Sequence, residues 1–448
     1  MKVLIEKILR VQPCVGTLFV LVRAADDASA KQRLQKEILD KELFRVLREQ
    51  KGDGYRSFMV QKVVPVVGDT SVPNLGISER SVREHLWESL HVIINTAANT
   101  NFDERYDISL GVNTMGVTNV LDFGKRCRKL QVFVHVSTAF VSGDNGGVIP
   151  EKPLQMGETL VDEPQLILDI KTELSLAKRT AEMLENSTDP ATISLTKHMK
   201  ELGLKRANKY GWPNTYTFTK AMGEMLVGER RGDLPVVIIR PSVIESTFAD
   251  PFPGWMEGSR TMDTIIIGYG KGRITSFLAN PDFMLDVIPA DMVVNAIIAA
   301  MAKHALDFNS LSIYNVSSSS ANPLTYSVVV DTSYDYFVKN PCMDKHRKLI
   351  QVEKCYLFHS MESFVRYMRL RYKIPLQVMG MANELLCQIF ADRYNQLLRK
   401  FNFVMYLAEL YKPYVFFEGR FDNFNTEQLY VELSDSEKEL FDFDVKRI

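Results

Sequence analysis

The sequence predicts an α/β fold, a doubly wound parallel sheet, joined to a mostly helical C-terminal domain. Three observations carry that expectation. Short runs rich in Val, Ile and Leu alternate with helical stretches through the first half of the chain, as strand–helix–strand units do. The first four runs each end in small or polar residues. Past the serine-rich run 317–323 the composition turns aromatic and basic with helical spacing, notably over 379–409.

Candidate strands are 17–22, 63–67, 91–95, 132–136 and 235–239. They are apolar on both faces, as strands covered by helices on each side must be. Candidate helices are 1–11, where Val3, Leu4, Ile5, Ile8 and Leu9 recur at helical spacing, 30–49 with Leu34, Ile38 and Phe44, then 111–127 and 216–229. The strand ends Arg23-Ala24, Gly68-Asp69, Thr96-Ala97-Ala98 and Ser137-Thr138 mark the edge of an open sheet where ligands bind.

The arrangement is Rossmann-like with one departure. Such a sheet opens with a strand, a glycine-rich turn and a helix whose N-terminus receives a pyrophosphate. This chain opens with the helix, so the first strand and its phosphate loop are expected to be missing. Gly268, Gly270 and Gly272 follow a strand-like run, but no helix of useful length begins at the last glycine, and a surface turn is expected there. The break at 317–323 gives two domains, a nucleotide-binding α/β domain over 1–316 and a helical domain over 323–448.

Composition narrows the function classes. At 448 residues two domains are the first expectation. Lys plus Arg (54) nearly balances Asp plus Glu (55), so no basic field gathers nucleic acid. The five cysteines, Cys14, Cys127, Cys342, Cys355 and Cys387, are scattered and never in a C-x-x-C pair; they read as reduced thiols of a cytosolic or cytosol-facing protein. The histidines show no metal-ligand spacing. No apolar stretch reaches the ~18 residues that span a bilayer, so membrane contact is expected to be peripheral.

Tyr216 and Lys220 carry the chemistry. They stand four residues apart at the start of an amphipathic helix, so both project from one face. A carbonyl reductase needs a phenol to give a proton to oxygen while hydride adds to carbon. A free phenol has a pKa near ~10 and works at neutral pH when a nearby cation stabilises the phenolate. With 17 tyrosines in the chain, roughly one such pair arises by chance. Order raises its weight: the pair follows a run ending in Val136-Ser137-Thr138 and precedes one ending in Arg240-Pro241-Ser242. A hydroxyl at the first of those ends can hydrogen-bond the reacting oxygen. Thr138 is the first choice and Ser137 the second, since neighbouring strand residues face opposite ways.

The order of these pieces resembles an extended short-chain dehydrogenase/reductase, and the wording resembles the plant branch of the fatty acyl-CoA reductases. The residues that carry it are L-V-R-A (21–24), V-V-G-D (66–69), I-N-T-A-A-N-T-N-F (94–102), V-N-T-M-G (112–116), H-V-S-T-A-F-V-S-G (135–143) and Y-T-F-T-K (216–220). I-I-R-P-S (238–242), P-F-P-G-W-M-E-G (251–258) and D-V-I-P-A-D-M-V-V-N-A (286–296) follow, and the chain from Tyr326 is similar to that family's C-terminal domain.

The resemblance implies NADPH as cofactor, with Arg23 at the adenosine 2′-phosphate, Asp69 near the adenine, and Ala97 and Ala98 small enough to admit the cofactor to the backbone. Asn113, Lys220, Pro241 and Ser242 complete that cofactor set. It implies reduction of long-chain acyl-CoA to a primary alcohol in two rounds, with no metal, Tyr216 as proton donor, Lys220 poising it and Thr138 beside it. An apolar path for the acyl chain would involve 251–262 and the C-terminal domain. The family's usual place is the cytosolic face of the endoplasmic reticulum, with some members plastidial, and an oligomer is left open. The family's glycine loop would stand before Lys2, so the chain as written is expected to bind NADPH weakly and to have little reductase activity. Two alternatives stay open on the residues alone: another extended reductase, or a non-catalytic lipid-binding or interaction module.

Overall fold

The structure, a computed structural model, describes all residues except 144–145, 187–193, 260, 306, 308 and 386–387. Cys387 and residue 260 of the stretch 251–262 thus lie outside the described residues. The chain divides into two compact units. One comprises Met1–Met256, Val287–Asn322 and Arg420–Ile448, the other Glu257–Asp286 and Pro323–Gly419. Of the four crossings, the one after Asn322 falls at the serine-rich run; the other three have no counterpart in the sequence pattern.

The first unit holds strands β1 (Leu18–Val22), β2 (Val63–Val67), β3 (Val92–Asn95), β4 (Val132–Val136), β5 (Val236–Pro241) and β6 (Leu311–Val316). β1 pairs with β2, and the other four form a sheet in the order β6-β5-β4-β3. All these ladders are parallel, so each connection must cross over through a helix or long loop. Four helices cover the strands: α1 (Lys2–Val11), α2 (Gly116–Gly124), α3 (Thr215–Arg230) and α4 (Ala290–His304).

Alternation along the strands sends side chains into two cores. Val132, Val134, Val237 and Ile239 pack with Leu4 and Leu9 of α1 and Ile297 of α4. Phe133, Val236, Ile238 and Ile313 pack with Val117 and Leu121 of α2 and Val227 of α3. Apolarity on both faces of β4 and β5 is therefore met by burial on both faces, which is the parallel-sheet reading of the sequence.

Charges of α1 are also drawn inward. Glu6 and Lys7 are buried; Arg10 bonds Glu6 at 2.9 Å and Asp250 at 3.1 Å, and Lys7 pairs with Asp250. Asp291, near the start of α4, accepts the backbone N–H groups of Phe248, Ala249 and Asp250, each at 2.8 Å. A carboxylate thus pins the loop after β5, and this gives the D-V-I-P-A-D segment its structural task.

Two expectations need correction. The helix expected over 30–49 is broken: Asp27–Leu34 is α-helical, Gln35–Leu39 is a π-helical turn, and Lys41 is extended at φ -69, ψ 152 before Arg45–Lys51 resumes. The break lets Leu43 and Phe44 reach full burial, and tertiary packing outweighs local propensity. The glycine cluster is not a surface turn at its first two members. Gly268 and Gly270 are buried within the helix Thr261–Gly270, where a Cβ on Gly270 would come 2.3 Å from the Phe337 ring. Gly272 does sit in a turn, at φ +61.

The second unit contains that helix, the parallel pair Ser276–Leu278 and Tyr356–Phe358, the helix Tyr326–Lys339, and then α5 (Met361–Met368), α6 (Ile374–Leu385) and α7 (Ala391–Val415). Within it Ile265, Ile266, Phe277, Val330, Leu357 and Val415 line an apolar crevice. The hydroxyls of its two tyrosines are turned to backbone carbonyls, Tyr269 to Glu353 at 2.8 Å and Tyr326 to Tyr414 at 3.3 Å. Among the described residues no helix is long and apolar enough to cross a membrane.

Candidate active site

The helix α3 presents the central pair. Asn214 caps its N-terminus by accepting the N–H of Thr217 at 3.0 Å, which satisfies one of the donors a helix start leaves open. The helix is buried nearly all round, and one of its faces lies against the π-helical segment Leu110–Met115. Close approach is set by Gly223: a Cβ there would stand 2.4 Å from the carbonyl oxygen of Asn113. Thr114 Oγ1 donates to the Thr219 carbonyl at 2.8 Å, and Asn113 Nδ2 donates to Thr219 Oγ1 at 3.0 Å.

One turn of α3 separates Tyr216 from Lys220. The Lys220 ammonium is buried and donates to the carbonyl of Val136, the last residue of β4, at 2.7 Å. Burial lowers its pKa from 10.5 to about 8, with Glu224 pulling the other way; it is still mostly cationic at neutral pH. The Tyr216 phenol is pushed up to about 12 by burial, opposed by a hydrogen bond with the Thr138 hydroxyl. Thr138 itself caps the short helix Ala139–Ser142 directly after β4. Tyr216, Thr138 and Lys220 therefore converge at one strand end.

Ser137 lies beside them with its N–H on the Ile239 carbonyl at 2.7 Å, and its buried hydroxyl has no protein partner. The same holds for Ser242, whose N–H donates to Val316 at 3.1 Å while its hydroxyl is unpartnered. Pro241 ends β5 immediately before it. Arg23 is exposed just past β1. Asp69, past β2, spends one carboxylate oxygen on the N–H and hydroxyl of Ser71, both at 2.8 Å. Ala97 and Ala98 follow β3, half-buried, with the Ala97 N–H on Asn95 Oδ1 at 3.2 Å. Asn113 is buried, and its side chain clasps both the N–H and the carbonyl of Asn99, at 2.9 and 3.0 Å. All these positions except Asn113 thus stand at or just past the carboxyl ends of parallel strands in the two sheets, the edge at which sheets of this kind bind ligands.

Two buried pairs at this edge were not foreseen from the sequence. Arg240 on β5 forms a bidentate pair with Glu224 on α3, at 3.1 and 2.6 Å. His135 on β4 stands opposite Asn95 on β3 in register, 3.3 Å from its amide. Burial, then the charge of Lys220, holds that imidazole well below its ordinary pKa, so it is neutral. His135 and Asn95 could have been suspected as polar residues inside two apolar strand runs.

The residues fit a nicotinamide cofactor on one count visible in this structure. The unpartnered hydroxyls of Ser137 and Ser242 and the open Nε2 of His135 are buried polar atoms of the kind a bound polar group completes. Among the described residues no glycine-rich turn opens a helix after a strand, and none is assigned to the pyrophosphate. No group of metal-ligating side chains is found among the described residues.

Sheet and site together define a nicotinamide-dependent reductase of the short-chain dehydrogenase type. Residues 2–297 match the NAD-binding portion, and residues 371–448 the sterile portion, of the family described as male sterility protein. The chain is 47% identical over 451 residues to probable fatty acyl-CoA reductase 4 of Arabidopsis thaliana, covering 100% of this chain and 91% of that one. It is 44% identical over 450 residues to the alcohol-forming fatty acyl-CoA reductase of Simmondsia chinensis, with the same coverage. The terminal R domain of the myxalamid biosynthetic pathway shares the fold at a TM-score of 0.53 and 17% identity, over 99% of this chain and 86% of that one. The chain belongs to the fatty acyl-CoA reductase family.

Proposed function

We propose that this chain reduces long-chain fatty acyl-CoA to the primary alcohol and free CoA, with NADPH as the cofactor. The observation that carries the reading is the convergence of Tyr216, Thr138 and Lys220 at the end of β4, in a chain whose relatives include an alcohol-forming reductase.

NADPH, when bound, supplies one hydride in each of two rounds. In the first, the Tyr216 and Thr138 hydroxyls donate to the thioester oxygen and stabilise the charge it gains as its carbon becomes tetrahedral. Collapse breaks the carbon–sulfur bond, the CoA thiolate leaves and takes up a proton, and an aldehyde remains. In the second, Tyr216 gives its phenolic proton to the aldehyde oxygen as the new C–H bond forms. The Lys220 ammonium stabilises the phenolate until solvent reprotonates it.

For the cofactor, Arg23 takes the 2′-phosphate, because its exposed guanidinium has no carboxylate partner among the described residues and suits a phosphate. Asp69 lies at the adenine, Ala97 and Ala98 along the backbone approach, and Lys220 at the ribose. Asn113 braces α3, and Pro241, Ser242 and Ser137 face the nicotinamide end. The apolar crevice of the second unit has the chemistry of an acyl-chain site. A lipid product argues for a peripheral position on the cytosolic face of the endoplasmic reticulum.

The test is incubation of the purified chain with hexadecanoyl-CoA and NADPH, following nucleotide oxidation and hexadecanol together. Two nucleotides are consumed per alcohol, and Tyr216→Phe lowers the rate by about 10²- to 10⁴-fold. Absence of alcohol from the parent chain, or its undiminished formation by Tyr216→Phe, would sink the reading.

A further inference from the structure

We propose that the helical run at 361–385 is a docking surface for an anionic phospholipid bilayer. α5, the π-helical turn Arg369–Lys373 and α6 follow one another without a break. Along them Leu370, Ile374, Val378, Met381 and Leu385 recur at intervals of four, four, three and four residues, which sets side chains on one helix face. In a core helix that face would be covered. Here the five side chains are between 41% and 85% exposed, and Ile389 and Phe390 just beyond are 74% and 45% exposed.

Charge says what covers them. Arg366, Arg369, Arg371 and Lys373 are all exposed within the same run, and no Asp or Glu occurs between Ser363 and Asn383. Among the described residues none of these four cations has a carboxylate partner. An apolar stripe bordered by unpaired cations is the pattern of a helix lying in the interface of an anionic membrane, its apolar face in the acyl boundary and its cations at the headgroups. A second copy of the chain is disfavoured, because two such stripes meeting about a two-fold axis would bring like charges together. The inference rests on the peripheral-membrane part of the reading above and is independent of its chemistry.

The experiment is flotation of the purified full chain with vesicles of phosphatidylcholine alone or mixed with phosphatidylserine. The chain floats with the anionic vesicles, and added salt releases it. Val378→Glu combined with Leu385→Glu lowers flotation at least about tenfold. Arg369→Glu combined with Arg371→Glu lowers it about tenfold on anionic vesicles only. The second pair alters exposed residues, and its unfolding temperature shows that the fold is kept. Flotation unchanged by either pair, or equal on both vesicle types, overturns the proposal. So does a vesicle-free dimer that the first pair converts to monomer in light scattering. A chain that floats as described yet forms no alcohol refutes the catalytic reading and leaves this one standing.

Discussion

The Lys220 ammonium is anchored 2.7 Å from the carbonyl of Val136, so the cation proposed to serve Tyr216 is held by the backbone at the end of β4, two residues before Thr138. Helix and strand end are thereby locked in one register, and the position of the charge does not depend on a mobile side chain.

That anchoring makes the pH response specific. The folded pKa of Lys220 is lowered from 10.5 to about 8, so the unfolded chain holds this proton more tightly and stability rises with pH between those values. Activity runs the other way, because the phenolate loses its cation as pH climbs through about 8. Turnover is expected to fall through that range. Lys220→Arg, whose guanidinium stays charged, moves the fall upward, and a pH–rate profile of both proteins checks it.

The two hydroxyls at the end of β4 are expected to differ. Thr138 already bonds the Tyr216 phenol, so Thr138→Val removes a donor to the reacting oxygen and lowers kcat about 10²- to 10³-fold. Ser137 has a buried hydroxyl without a protein partner. Ser137→Ala leaves the unfolding temperature unchanged, and its loss shows in KM for the nucleotide rather than in kcat. Steady-state kinetics on the two variants distinguish the roles, and equal losses in kcat would refute the assignment.

Gly223 tests how the site is positioned. A Cβ at this residue would lie 2.4 Å from the Asn113 carbonyl oxygen, and neither backbone can yield without parting α3 from its neighbour. Gly223→Ala is expected to cost about 1 to 3 kcal/mol of stability and to lower turnover as well, since Tyr216 and Lys220 move with the helix. Urea unfolding measures the first effect. Unchanged stability would mean that α3 does not pack this closely.

Much of this was legible in the chain. β2 and β4 carry the expected bounds because their runs are apolar on both faces and are flanked by the polar or small residues Lys62 and Gly68, and Gln131 and Ser137. Tyr216, Lys220 and Thr138 were visible as residue types in order along the chain. What was hidden depends on partners far away in sequence. The buried Arg240–Glu224 pair, the His135–Asn95 contact and the Asp291 clasp on Phe248 are each made by residues whose own neighbours carry no trace of the other. The broken helix at 35–44 was hidden for the same reason, since Leu43 and Phe44 gain their burial from the core and not from helical spacing. The apolar stripe at 370–385 could be read as periodicity, but only exposure distinguishes it from a core face.

A half-buried carboxylate couples the sheet to the C-terminal residues 420–448. Glu151 accepts the N–H groups of Asn315, on β6, and Asn425, at 2.7 and 2.6 Å. Burial nonetheless outweighs those bonds, and its pKa is raised from 4.5 to about 7, with Asp422 adding in the same direction. A raised carboxyl pKa means that the folded chain holds this proton more tightly, so stability falls as pH rises from 4.5 towards about 7 and is flat beyond. Glu151→Gln removes the titration while keeping an oxygen to accept one N–H. Its unfolding temperature is therefore expected to lack the decline that the parent shows over that interval. Thermal melts of both proteins across the interval measure the difference, and parallel profiles would show that the Glu151 pKa is not raised by folding.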